Sequence, residues 1–217
     1  MSINGHWRTD LRLDRANLKK VAGLILAAGK SERMGSPKPL LSINGTSFLA
    51  HIVAAMRKSK LSELRIVLGH EAEKVLNRLP DLEAEVIVNP DYDRGQLSSI
   101  IRAIQVLESS AIDGIMLFLV DHPFVTTELI DLMIQEFSQQ QFPIVIPTFR
   151  GKRGHPMIFG RQLFPELVKA PWDRGAVAVV RNHQQEILHL SVQYEGVLID
   201  IDTPEAYRQY VVARGMI

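Results

Sequence analysis

Cysteine is absent from this chain of 217 residues. That removes disulfides, thiolate nucleophiles and Cys-ligated zinc or iron–sulfur centres together, and it suits a reducing compartment. Long apolar runs are missing too, since none reaches the roughly 18–20 residues of a membrane span. Nor is there an excess of one charge. A formal net charge of +1 exerts no global pull toward nucleic acid or an anionic membrane. Neither is expected as a partner, so any affinity for phosphate has to be local. The histidines show no i, i+4 pairing that would mark a zinc site, and the G-x-S-x-G of a serine hydrolase does not occur.

What is present is a globular composition, 46% hydrophobic, enough for a sizeable core. The opening "MSINGHWRTDLRLDRANLKK" has scattered charges and no apolar segment of secretory type. Residues 1–19 are expected to form an arm outside one domain spanning 20–217, in a cytoplasmic protein. Strands are expected at Val21–Ala27, Leu64–Gly69, Ala84–Asn89, Gly114–Asp121 and Phe142–Phe149. Helices at Ser47–Ser59, Glu71–Leu79, Ser98–Glu108 and Thr126–Gln140 alternate with them, each with apolar spacing of three and four. Thr126 or Thr127 offers an N-cap for the last of these. Beyond Arg150, "PMIFG", "EILHLSV" and "VLIDID" read as strands, and helices follow near Arg161–Lys169, Gly175–Asn182 and Pro204–Arg214. Such alternation implies a three-layer α/β/α fold around a mostly parallel sheet, with the first and fourth strands central.

Ligands of such sheets sit at the carboxyl ends of the strands. There the chain carries "LAAGKSERMGSPKPLL", Leu26 to Leu41. The spacing of G-x-x-x-x-G-K-[ST] fails, because Gly23 stands one residue too far from Gly29; G-x-G-x-x-G fails as well. A mechanism survives both failures. Ala27, Ala28 and Gly29 let a base or phosphate approach the main chain, while Lys30, Ser31 and Arg33 supply donors. Pro37 and Pro39 stiffen the peptide around Lys38. A solvated basic turn is the plain alternative.

Two acidic stretches accompany this loop. "GIMLFLVDHPF" closes an apolar run on Asp121, a natural ligand for Mg²⁺, which takes one or two carboxylates. "VLIDIDTPEAY" places Asp200 and Asp202 two residues apart, hence on one face if the run is a strand. Asp202 precedes Thr203 and Pro204, so capping of the last helix is its competing role. In "NPDYDRGQLSSI", Gly95 permits a tight path and Ser98 either caps a helix or contacts a ligand. "RGKRGHPMIFG" sets His155 in a basic, glycine-rich connection that a solvated hairpin would also explain.

The string from Leu26 to Leu41 resembles the signature L-x-x-G-x-S-x-R-M-G-x-x-K-x-L-L of the molybdenum-cofactor nucleotidyltransferases. The resemblance extends over about Val21 to Tyr210. It implies a Rossmann-like nucleotidyltransferase fold of the GT-A-like kind, and transfer of a nucleoside monophosphate to a phosphorylated acceptor with loss of pyrophosphate. Arg33, Lys38 and Asp121 then carry catalysis, and Asp121 with Asp202 holds Mg²⁺. The nucleotide contacts become Leu26, Ala27, Ala28, Gly29, Lys30, Ser31, Arg33, Lys38, Gly95, Gln96 and Ser98. His155, within a "GHP" segment, is implied to face a molybdopterin-type acceptor. Ala28–Gly29, in place of a glycine pair, and Asp202, in place of an asparagine, point to CTP rather than GTP. A molybdenum enzyme or its chaperone would be the protein partner. Sugar-phosphate or methylerythritol-phosphate nucleotidyltransfer, a non-catalytic nucleotide-binding assembly protein and an NAD-dependent oxidoreductase are the competing readings.

Overall fold

The computed structural model describes residues 17–217, so most of the arm expected over residues 1–19 lies outside the described residues. At its edge Lys19 is engaged: its backbone N–H donates to Ser138 Oγ (2.9 Å), and its ammonium lies 4.3 Å from the centre of the Phe137 ring.

The chain begins as β1 (Val21–Ala27), then forms a hairpin of β2 (Ser42–Ile43) and β3 (Thr46–Ser47) leading into α1 (Phe48–Arg57). Asn44 and Gly45 both take positive φ at the hairpin turn, the Asn-Gly signature of a type I′ connection. Ser47 caps α1 by accepting from the Ala50 N–H. There follow β4 (Glu63–Leu68), α2 (Ala72–Arg78), β5 (Glu85–Val88), α3 (Gln96–Leu107), β6 (Gly114–Leu119) and α4 (Thr127–Gln139). Thr126 caps α4, accepting from the Leu129 N–H. The last elements are β7 (Ile144–Phe149), β8 (Lys152–Arg153), β9 (Met157–Gly160), α5 (Phe164–Val168), α6 (Ala176–Asn182), β10 (Ile187–Ser191) and α7 (Pro204–Tyr207).

Among the described residues eight strands form one sheet, ordered β10-β7-β9-β6-β1-β4-β5, with β8 paired to β7. β1 is parallel to both β4 and β6, so all seven of its residues are buried, as its unbroken apolar run requires. Its side chains alternate between two cores. Ala22, Leu24 and Leu26 meet Ile100 and Leu107 of α3, Leu167 of α5 and Val179 of α6. Val21, Ile25 and Ala27 meet Phe48 and Ile52 of α1 and Ile130 and Phe137 of α4. Burying each such aliphatic or aromatic side chain contributes roughly 1.5–3 kcal/mol. The three-layer α/β/α architecture with a mostly parallel sheet is therefore realised. No helix among the described residues is long and apolar enough to cross a membrane.

The direction of one strand is new, and two expectations need correction. β9 runs antiparallel to both β6 and β7, because the link from β7 to β9 is too short for the crossover that a parallel partner needs. β6 ends at Leu119, so Asp121 lies in the turn beyond the strand. "VLIDID" is not a strand: a 3₁₀ turn covers Glu195–Leu198, and an extended run follows it. Ile199 and Ile201 are buried in alternation with the aspartates, but the run has no ladder partner. Its hold on the sheet's end is one bond from the Ile201 N–H to the Asp121 carbonyl (2.8 Å).

A surface clamp joins α5 to the end of α6. His183 contacts Glu166 through Nε2 (2.6 Å) and Glu186 through Nδ1 (2.5 Å), while Asn182 donates to Glu166 (2.8 Å). Bonds to Glu166 and then Glu186 raise the His183 pKa, and bonds from Asn182 and then His183 lower that of Glu166. A raised histidine contributes stability that is full below its unfolded value near 6.5 and is lost as pH rises through its folded value. The lowered glutamate sets the acid edge. Between about pH 6 and pH 8.5 the unfolding free energy should fall by about 0.5 kcal/mol through this clamp, modest because the groups are near solvent. Denaturant titrations should show that increment missing in His183→Gln; an equal loss in the variant would exclude the clamp.

Candidate active site

The loop that leaves β1 crosses the carboxyl ends of β1 and β6. Ser31 organises it. Its carbonyl accepts from the N–H groups of Met34 (3.0 Å) and Gly35 (3.2 Å), and its hydroxyl accepts from the Lys38 N–H (3.0 Å). Ser31 adopts a φ of 54° in this role, uncommon for a residue with a Cβ. Pro37 and Pro39 flank Lys38 in a 3₁₀ turn, and the Lys38 side chain is only 11% exposed.

Lys38 reaches both carboxylates that the sequence singles out. Its ammonium donates to Asp121 Oδ2 (2.8 Å) and to Asp202 Oδ1. Arg33 takes the other oxygen of Asp202. Burial works against the Lys38 charge, but Asp121 and Asp202 outweigh it and raise its pKa. Burial favours a neutral Asp202, yet Lys38 and Arg33 outweigh it and hold the carboxyl below the usual range. Partial burial, together with the like charges of Asp121 and Asp202, pushes Asp200 up to about 6. Because its surface is exposed, the neighbouring charges are the firmer cause. Thr203, not Asp202, caps α7, accepting from the Ala206 N–H. Asp202 is thus free of the capping role that the sequence offered.

A cleft of about 190 Å³ opens beside this cluster. From the loop side it is lined by Leu26, Ala28, Gly29, Ser31 and Lys38, and from the α3 side by Gly95 and Gln96, with Asp121 at the base. A Cβ on Gly29 would meet no protein atom within 4 Å, so the main chain there is approachable. An adjoining pocket of about 240 Å³ is lined by Lys30, Ser31, Glu32, Arg33, Lys38 and Asp202. Ser31 and Lys38 belong to both. Neither alone reaches the roughly 300–1,000 Å³ of a small-molecule site, but end to end they suit an elongated ligand.

Other expected contacts are placed differently. Ala27 faces the core on the α1 side. Lys30 lines the adjoining pocket, but its side chain is exposed and pairs with Asp93 (2.7 Å). Ser98 is 5% exposed, donates to the Gly95 carbonyl (2.8 Å) and accepts from Asn89 Nδ2 (2.8 Å). It therefore fixes the turn into α3, where Gly95 has a φ of 94°. The His155 ring packs against that of His122, centroids 4.6 Å apart, and its backbone N–H donates to the Val197 carbonyl (2.9 Å). Burial, then the neighbouring His122, brings the His155 pKa down to about 4, so it presents a neutral ring.

Sequence reasoning missed several members of the site. Tyr92, Leu119 and Val120 also line the cleft, beside Ser99, which the sequence offers as a cap or a nucleotide contact. Tyr92 sits there because Gly69 has no side chain: a Cβ on Gly69 would lie 2.5 Å from Tyr92 Cβ and 2.9 Å from Ala28 Cβ. His122 was visible as the residue after Asp121, but nothing in its spacing assigned it a role. It now stands within a group of three potential metal donors. One donor atom each from Asp121, His122 and Asp200 lies within 4.8 Å of the others.

The chain is similar to several known proteins. Residues 23–187 match the family model described as MobA-like NTP transferase domain. The purine catabolism protein PucB of Bacillus subtilis (strain 168) is 28% identical over 198 residues, covering 85% of this chain and 93% of PucB. The molybdenum cofactor cytidylyltransferase of Escherichia coli (strain K12) is 27% identical over 196 residues, 85% of this chain and 92% of that protein. The crystal structure of Rv0371c from Mycobacterium tuberculosis H37Rv superposes with a TM-score of 0.79 at 28% identity, covering 90% of this chain and 98% of that one. Rv0371c has also been solved in complex with manganese. With its Rossmann-like sheet, and a basic loop facing carboxylates across the strand ends, the chain belongs to the MobA-like NTP transferase family of nucleotidyltransferases.

Proposed function

We propose that this nucleotidyltransferase moves CMP from CTP to a molybdopterin-type acceptor and releases pyrophosphate, with a divalent cation such as Mg²⁺. The observation that carries the reading is the bridge of Lys38 between Asp121 and Asp202 at the junction of two pockets. Two cations and three carboxylates are concentrated where the main chain at Gly29 is approachable. Such an arrangement suits a triphosphate and its counter-ion rather than a neutral ligand. The 27% identity to a molybdenum cofactor cytidylyltransferase over 92% of its length supports the choice of acceptor and base. So do Ala28–Gly29 and the Asp202-Thr203-Pro204 string.

The donors fit a hard or borderline divalent cation. Asp121 Oδ1 is buried and has no hydrogen-bond partner, a state that native proteins rarely leave a carboxylate oxygen in unless something else binds it. Asp121 and Asp200 would hold the ion; Asp202, expected beside Asp121 in that role, is instead gripped by Lys38 and Arg33. A bound divalent cation supplies charge neutralisation for triphosphate oxygens.

Everything else is assigned to the chain itself. Ala28, Gly29, Gly95 and Gln96 receive the nucleoside and the adjoining phosphates. Lys38 and Arg33 exchange Asp202 for phosphate oxygens and offset the negative charge that grows on the departing pyrophosphate. An acceptor phosphate oxygen, already anionic at neutral pH, attacks the α-phosphorus. The bond from that phosphorus to the bridging α,β-oxygen breaks, and pyrophosphate carries away the electron pair. No nucleophile from the protein is required, which agrees with a chain lacking cysteine. Positioning supplies much of the acceleration. His155, neutral and packed on the residue that follows Asp121, would meet the acceptor as a hydrogen-bonding ring.

The test is pyrophosphate release by the purified protein with Mg²⁺ and molybdopterin-bound molybdenum, comparing CTP, GTP, ATP and UTP. Release with CTP at least about tenfold above the other three is expected. Equal release with GTP would overturn the base assignment. Failure of all four nucleotides to release pyrophosphate would overturn the acceptor.

A further inference from the structure

We infer that His122 contributes a ring nitrogen to the divalent-cation site, so that the site prefers a first-row transition ion over Mg²⁺. The inference rests on the proposed metal-dependent transfer and deepens it by naming the kind of ion. Three observations converge on His122. Among the described residues, Asp121, His122 and Asp200 are the group that brings three potential donor atoms within 4.8 Å of one another. Nδ1 of His122 and Oδ1 of Asp121 are both enclosed and have no hydrogen-bond partner. The backbone fixes where these side chains start. The His122 N–H donates to the Leu119 carbonyl (3.0 Å), and the Ile201 N–H donates to the Asp121 carbonyl (2.8 Å), which draws Asp200 alongside.

The orientation of the ring is restrained as well. The His155 ring packs on it, 4.6 Å between centroids and tilted by 46°, which limits where the His122 ring can turn. Donors around one ion at about 2.0–2.2 Å lie no more than ~4.4 Å apart, so a small contraction of the group closes the site. Asp202 lies outside this three-donor group, and Lys38 and Arg33 hold both of its oxygens until a triphosphate draws those cations away.

Donor chemistry then sets the preference. Mg²⁺ takes oxygen ligands and keeps much of its water. Imidazole nitrogen favours first-row transition ions over it, in the Irving–Williams order. A pair of carboxylates alone would leave Mg²⁺ the natural occupant; one nitrogen beside them changes the ranking.

The experiment loads the metal-free full-length protein with Mn²⁺ and reads pulsed EPR for ¹⁴N modulation from a coordinated imidazole. Wild type and His155→Gln are expected to show it, and His122→Gln to lose it. Competition with Mg²⁺ should require about a tenfold or greater excess in wild type and a clearly smaller one in His122→Gln. Mn²⁺ bound without ¹⁴N modulation, while Mg²⁺ still supports transfer, would overturn this inference alone. Modulation persisting in His122→Gln would overturn it as well. Binding of neither ion would overturn the inference and the metal dependence of the proposed function together.

Discussion

Replacing Asp121 with asparagine is expected to lower nucleotidyl transfer by about a thousandfold, ~4 kcal/mol of transition-state stabilisation. The fold should survive. Asp121 lies beyond the end of β6, and its contribution to local structure runs through its backbone carbonyl, which the Ile201 N–H reaches in the variant too. What the variant loses is charge. The amide side chain retains an oxygen for Lys38 but removes the anion shared between the ammonium and the three-donor group. A loss of metal affinity should therefore accompany the loss of turnover, with circular dichroism unchanged. Wild-type turnover in a folded Asp121→Asn protein would remove the aspartate from the mechanism.

Lys38→Ala is the second large effect, and it acts on stability and turnover in different ways. Without the ammonium, Asp121, Asp200 and Asp202 face one another with Arg33 as the nearby cation, and Arg33 is 68% exposed. Removing one partner of a buried ion pair costs about 3–5 kcal/mol. Asp121 and Asp202, the two that Lys38 bridges, keep 24% and 23% of their side-chain surface in water, so a loss nearer ~2 kcal/mol is expected. Divalent cation should restore more stability to the variant than to wild type, since it replaces the missing charge. Transfer should fall by about 10²–10³ and should not be recovered by metal, because the ion cannot take the place of the ammonium on the phosphates. Thermal unfolding with and without Mn²⁺ reads the first effect. Equal shifts in variant and wild type would mean that Lys38 and the ion do not answer the same carboxylates.

Much of this was legible in the sequence where local pattern and global position coincide. β1 was readable to the residue because a central parallel strand is buried on both faces, and a short apolar run that stops at a glycine-containing turn fits such a strand. Thr126 announced α4 through capping chemistry that acts within three residues. The loop from Gly29 to Pro39 was legible for a similar reason, since glycine, serine and two prolines constrain a short path whatever surrounds it. Residue pattern carries no strand direction, so β9 had to await the structure. "VLIDID" misled because alternating burial needs only an extended chain beside a core. Ile199 and Ile201 supply that without any ladder of backbone bonds. Asp200 and Asp202, read on one face with Asp202 as the metal ligand, part ways in three dimensions. Lys38 and Arg33 come from 164 and 169 residues away in the chain to take Asp202, and no local signal encodes that. His122 and Asn89 were invisible as actors because their partners, Asp200 and the paired Ser98 and Ser99, are fixed by topology or by burial.

On the proposed function, the junction of the two pockets transfers a nucleotidyl group. The direct measurement follows CTP labelled at the α-phosphorus, with Mg²⁺ and the molybdopterin-type acceptor, counting label in the acceptor against pyrophosphate released. One pyrophosphate for each label transferred, with both lost in Asp121→Asn, is the expected result. Label recovered as free CMP, or orthophosphate in place of pyrophosphate, would contradict it.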